Sequence, residues 1–203
     1  IWWLSGPLVL TRNASFAPRC NTLRGVAFAP PLRYDGGMEI IIFGGFLGSG
    51  KTTLIQSILH AMVEAGHTAA IIENEIGEIG IDQALLQRAE VSVTPLFGGC
   101  VCCQITGSLI AAIRDIRARI QPDYLIVEMT GLAHMSGIRQ QLKQYGEADV
   151  PLHTVAVVDG ARFLKLCRVM GELMSGQLGG ADDVLLNKTD LAPATQEILD
   201  MVA

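Results

Sequence analysis

Gly45, Gly48, Gly50, Lys51 and Thr52 fall in the order G-x-x-x-x-G-K-[ST], within the run GFLGSGKT. Glycines at such points let the backbone bend until successive N–H groups converge on phosphate oxygens. The amino end of a following helix adds partial positive charge. In a loop of this kind Lys51 reaches the β- and γ-phosphates and the Thr52 hydroxyl ligates Mg2+, with Ser49 and Thr53 as further cofactor-binding positions. The alternative is a glycine-rich turn with an incidental lysine. Context decides against it, because an apolar strand run (39–43) precedes the loop and a helical pattern at Leu54, Ile55, Ile58, Leu59 and Met62 follows. The pattern predicts a nucleotide-binding loop.

Two further clusters suit the same ligand. Asn187-Lys188-Thr189-Asp190 follows the apolar run VLL. A carboxylate at Asp190 can accept from both N1–H and N2–H2 of guanine, whereas adenine would leave it unpaired. Asn187 is expected on the base edge and the Lys188 stem along the ring, which makes GTP the predicted nucleotide. Glu128 ends the run YLIV, where a second acidic residue would hold Mg2+ directly or through water. Gly131, three residues on, could offer its N–H near the γ-phosphate. The catalytic expectation therefore rests on Lys51, Thr52 and Glu128.

Cys100-x-Cys102-Cys103 could bring three thiolates to one soft metal ion, and three thiolates with a fourth ligand suit tetrahedral Zn2+. Glu73 and Glu75 lie at a neighbouring strand end and could add an oxygen ligand. Redox chemistry or buried thiols are the other readings of so short a cysteine motif. His134 and His153, near strand ends, are weaker ligand candidates. Cys167 is expected as a buried apolar thiol.

The elements that must position these groups alternate between strand and helix. Strands are expected at 39–43, 68–73, 91–96, 124–127, 154–158 and 183–186. Helices are expected from the loop to about 64, at 83–88, 106–120 and 135–145, from about 161, and after Pro193. Gly66 is expected to close the first helix. Strands apolar on both faces imply an α/β fold of the P-loop NTPase kind, a largely parallel sheet covered by helices on both sides. Each motif falls just after a strand, so all should gather at the carboxyl edge of the sheet.

Half of the 203 residues are hydrophobic and 17% are charged, enough for one domain with a sizeable core. Residues 1–37 hold four arginines against Asp35, a local +3 that leaves −8 of the net −5 for residues 38–203. That acidic remainder argues against nucleic acid as partner, and no apolar run is long enough to cross a bilayer. An odd set of five cysteines, three within four positions, is no disulfide framework and points to a reducing, cytoplasmic setting. Residues 1–37 show neither helical nor strand periodicity and are expected to be a disordered leader or translation artefact, with Met38 the natural start. The domain proper is then 38–203.

GFLGSGKTT, NEIGEIGID, GGCVCC, EMTGLA and LLNKTDL, in that order, resemble the CobW-type metallochaperone GTPases, grouped with the nickel-handling urease and hydrogenase accessory GTPases (the CobW/HypB/UreG nucleotide-binding domain). The resemblance spans Met38 to about Leu191. It implies a GTPase that turns GTP slowly into GDP and phosphate, with switch loops that couple nucleotide state to a metal at Cys100, Cys102 and Cys103. Residues 75–82 match the first switch. Zinc or cobalt would be delivered to a client metalloprotein or a cofactor pathway, with a homodimer as the candidate assembly. A module that binds nucleotide and senses metal without significant hydrolysis is the alternative. Two departures stand out: His134-Met135 replaces the usual Asp-Pro, and the usual final strand, second guanine-contacting loop and C-terminal domain are missing, so truncation is expected.

Overall fold

A computed structural model describes residues 2–4, 8–11, 26–28, 37–73, 91–95, 104–129, 131, 134–144, 150–191 and 195–202. Nine strands are described: β1 (Trp2–Leu4), β2 (Leu8–Thr11), β3 (Val26–Phe28), β4 (Glu39–Gly44), β5 (Ala69–Glu73), β6 (Val91–Pro95), β7 (Tyr124–Glu128), β8 (Leu152–Asp159) and β9 (Asp183–Asn187). The described helices are α1 (Lys51–Glu64), α2 (Gln104–Arg119), α3 (Met135–Gln144), α4 (Phe163–Val169), α5 (Gly171–Leu178) and α6 (Gln196–Val202). The helix expected at 83–88 and the loops 74–82 and 96–103 lie outside the described residues.

The main sheet has the order β2-β9-β8-β4-β7-β5-β6, and every pair from β9 to β6 is parallel. This is the expected α/β architecture. β4 runs through the middle, and its successor β5 sits beyond β7, while β8 and β9 lie on the other side. A reversal of strand order next to β4 opens a crevice at its carboxyl end, the usual ligand position in such sheets.

Side chains alternate across the sheet and make two cores. Ile41, Phe43, Ile71, Ile126, Val155, Val157 and Leu185 face α1, which contributes Leu54, Ile55, Ile58, Leu59 and Met62. The opposite face packs Ile40, Ile42, Ile72, Leu125 and Val127 against α2 and α3. There Ala156, Val158, Val184 and Leu186 pack on Phe163, Met174, Leu178 and Ile198. Truncating one fully buried residue such as Leu59 to Ala would cost about 2–5 kcal/mol. Gly66 closes α1 as expected. At φ 79° it donates to Val63 O (2.9 Å), and His67 N donates to Met62 O (3.0 Å), a Schellman arrangement.

Two features of the fold were not expected. Residues 1–37 contain three short strands, and Leu8–Thr11 pairs antiparallel with β9 from Leu8↔Leu186 to Thr11↔Asp183. Four residues are too few for periodicity to register, and it is the edge of β9 that selects them by offering a row of peptide groups. The helix expected from about 161 is two helices, α4 and α5, broken at Met170 before Gly171.

Charged residues begin several central strands. Glu39, His153 and Asp183 lie on the α1 face at the amino edge, and His153 Nε2 is 2.6 Å from Asp183 Oδ2. His153, a weak ligand candidate by sequence, is thus at the end of the sheet away from the phosphate loop. Burial pushes the Glu39 carboxyl up from an ordinary 4.5 to about 7, and only the nearby His153 opposes this. A carboxyl raised in the folded state contributes its stability below about pH 4.5 and loses it as pH rises through about 7. Glu39→Gln should therefore flatten the fall in stability between pH 5 and 8. Urea midpoints across that range check it; parallel curves for the two proteins would refute it.

Candidate functional site

The phosphate loop leaves β4 through Gly45, whose φ of 134° only glycine takes readily. A Cβ there would lie 2.1 Å from the Val157 carbonyl oxygen. Gly50, at φ 95°, is the residue before α1, and a Cβ on it would meet Asn187 Nδ2 at 2.2 Å. Both glycines let other strands approach the loop backbone. Lys51 is buried and its Nζ donates to Gly45 O (2.8 Å) and Phe46 O (3.2 Å), folded back over the loop. Ser49 Oγ is buried without a hydrogen-bond partner. An orphaned hydroxyl in a glycine-lined cradle fits a phosphate group.

The structure brings Thr52 and Glu128 together. Thr52 Oγ1 donates to Glu128 Oε1 at 2.9 Å, across 76 residues of sequence. That pair of oxygens, one of them carboxylate, beside a phosphate cradle fits a hard divalent cation such as Mg2+. Thr53, next on α1, is exposed. Gly131 packs against the loop so closely that a Cβ would lie 2.8 Å from Leu47 N. Its carbonyl accepts from the buried amide of Gln177 on α5 at 2.5 Å.

Residues 187–190 sit on the other flank. Asn187 Nδ2 donates to Ser49 O (2.9 Å) and its Oδ1 accepts from Lys188 N (2.8 Å). The amide therefore braces the phosphate loop. Lys188, at φ 60°, donates from Nζ to Gly48 O (2.7 Å) and Asp159 Oδ2 (2.8 Å). Asp190 is exposed beyond it.

Of the metal-ligating candidates, Cys100, Cys102, Cys103 and Glu75 lie outside the described residues. Glu73 is described, at the carboxyl end of β5 and in register with Glu128 of β7. Burial raises its carboxyl above the ordinary range, the charge of Glu128 adds to the effect, and Glu73 Oε1 is buried without a partner. Both conditions would be relieved by a cation. Cys167 is a half-buried thiol, packed at the edge of the core around Phe163, and burial pushes it up. Helix entry at the departure from the usual pattern is intact, since α3 begins at Met135 with that side chain fully buried.

Sequence reasoning passed over Asp159, Arg162 and Gln177. Asp159 ends β8 as Glu128 ends β7, and that shared position was the available signal. Nothing in sequence marks the other two.

The family model for the CobW/HypB/UreG nucleotide-binding domain matches residues 39–203. The chain belongs to that family. The zinc chaperone YjiA of Escherichia coli strain K12 is 31% identical over 174 residues, 82% of this chain and 54% of that protein. The zinc-regulated GTPase metalloprotein activator 1 of Schizosaccharomyces pombe is 31% identical over 164 residues, covering 76% and 39%. The crystal structure of Zn(II)-bound YjiA GTPase from E. coli superposes with a TM-score of 0.61 at 26% identity, covering 82% of this chain and 54% of that one. This family member thus spans about half the length of YjiA. Among the described residues no helix is long and apolar enough to cross a membrane.

Gly50→Ala should destabilise the chain by about 1–3 kcal/mol through left-handed strain and collision with Asn187. Urea unfolding measures it, and an unchanged midpoint would show that the close approach of β9 to the loop is dispensable.

Proposed function

We propose that this chain is the nucleotide-binding part of a GTP-dependent metallochaperone. The observation that carries the reading is the convergence at one sheet edge of the glycine cradle, the Thr52–Glu128 pair at 2.9 Å and the Asn187–Asp190 loop. GTP would lie with its phosphates over Gly45, Gly48, Ser49, Gly50, Thr53 and Gly131 and its base against Lys188 and Asp190. Thr52 and Glu128 would hold Mg2+, and Lys51 would turn from the carbonyls of Gly45 and Phe46 to the β- and γ-phosphates. Fixed positive charge there stabilises the transferring phosphoryl group, and slow hydrolysis to GDP suits a switch.

The cargo would be zinc or cobalt, held by Cys100, Cys102 and Cys103 with an oxygen ligand from Glu75 or Glu73, and passed to a client metalloprotein in the cytoplasm. The names of the relatives support zinc and a metalloprotein client. Assembly as a homodimer belongs to the same proposal. Residues 38–203 would form the GTPase domain.

Asp190→Asn should exchange an acceptor for a donor and move preference from GTP toward xanthosine triphosphate. Retained GTP affinity in that variant would sink the guanine assignment. For the chaperone cycle, a non-hydrolysable GTP analogue should change zinc affinity by about 5- to 150-fold relative to GDP, the usual range of allosteric coupling. By linkage, zinc must change the preference between the two nucleotides by the same factor. Metal titrations in both nucleotide states decide this. Equal affinities would leave an uncoupled metal site and remove the mechanism.

A further inference from the structure

Three consecutive carbonyls of the phosphate loop are held by side chains from the ends of two neighbouring strands. Arg162 Nη2 donates to Leu47 O (3.1 Å), Lys188 Nζ to Gly48 O (2.7 Å) and Asn187 Nδ2 to Ser49 O (2.9 Å). Because a peptide is planar and trans, fixing a carbonyl to one side turns the following N–H to the other. The loop's anion-binding face is thus set from behind.

Two of the three donors share one carboxylate. Asp159 Oδ2 accepts from Lys188 Nζ at 2.8 Å and from Arg162 Nε at 2.7 Å. Its other oxygen, Oδ1, accepts from the backbone N–H of Ala161 (3.0 Å) and of Arg162 (3.2 Å). Asp159 is 3% exposed, so its position is fixed by packing and by four hydrogen bonds. Burial alone would oppose its charge, but the hydrogen bonds and charges of Lys188 and Arg162 outweigh this and hold the carboxyl below its ordinary range. Arg162 suits the task because its planar fork reaches the carboxylate through Nε while Nη2 reaches the loop; a lysine has one nitrogen for both. A Cβ on Gly48 would lie 3.2 Å from Arg162 Nη2, so the guanidinium lies directly against the loop.

We propose that Asp159 is a positioning residue that, through Arg162 and Lys188 together, sets the phosphate loop and couples it to recognition of the guanine base. The inference rests on the nucleotide reading above, and names the device by which base and phosphate subsites are held in one register. Lys188 belongs to both subsites, and Asp159 fixes it in relation to Arg162.

Calorimetric binding of GDP, inosine diphosphate and inorganic tripolyphosphate to the full chain tests this. Asp159→Asn keeps the shape but loses the charge. It should weaken GDP about tenfold or more, the scale of a lost charge-assisted hydrogen bond. It should also weaken tripolyphosphate and narrow the preference for GDP over inosine diphosphate by about threefold or more, because Asp190 is displaced with Lys188. Arg162→Ala should weaken GDP and tripolyphosphate in parallel and leave the base preference alone. A purely structural role predicts a lower melting temperature with uniform weakening and an unchanged base preference, and that result would overturn the proposal. So would GDP affinity within twofold of wild type. If the asparagine variant does not fold, Arg162→Ala and Lys188→Ala are combined: non-additive losses in GDP binding uphold the shared carboxylate, and additive losses overturn it. Failure of the guanine reading looks different, since the wild-type chain would bind ADP as tightly as GDP. That result overturns the base half of the proposal, while loss of tripolyphosphate binding in Asp159→Asn still upholds the loop half.

Discussion

The grip of β8 and β9 on the loop after β4 is the interaction on which the site depends. A loop with this many glycines has little conformational preference of its own, and its ordering costs entropy that local contacts cannot offset. The side chains of Arg162, Lys188 and Asn187 supply the missing constraint by holding the carbonyls of Leu47, Gly48 and Ser49. They reach it because Gly45 and Gly50 have no Cβ where Val157 and Asn187 pass. Glycine thus serves twice, allowing the left-handed turns and clearing the approach.

The same strands treat their two ends differently. At the amino edge, His153 lies against Asp183, and Glu39 is buried beside them. That row joins acids to a base. At the carboxyl edge Glu73 and Glu128 face each other in register. Like charges side by side are tolerated where a cation completes the arrangement.

A third contact links the site to the far helices. Gln177, buried on α5, donates to Gly131 O, and Gly131 in turn lies against Leu47 of the phosphate loop. On the same helix Gly176 leaves room for the ring of His134, since a Cβ there would meet His134 Nδ1 at 2.1 Å. The break between α4 and α5 at Met170 starts a new helix axis, and it is α5 that carries Gln177 to Gly131.

Sequence by itself determined the parallel α/β sheet with its phosphate loop and placed the motifs at 128 and 187–190 at strand ends. These rest on local patterns: apolar runs of strand length, 3.6-residue periodicity, and motifs each placed just after a strand. Tertiary structure decided what depends on neighbours distant in sequence. Asn187 braces Ser49 O because β9 ends beside the loop, a contact no local pattern announces. Leu8–Thr11 joins the sheet because β9 offers it an edge, which no four-residue pattern announces. Asp159 and Arg162, in an ordinary strand-end turn, gain their meaning from Lys188 and Leu47, 29 and 115 residues away. Periodicity is a property of one segment, whereas such a hub exists only once three segments have been folded together.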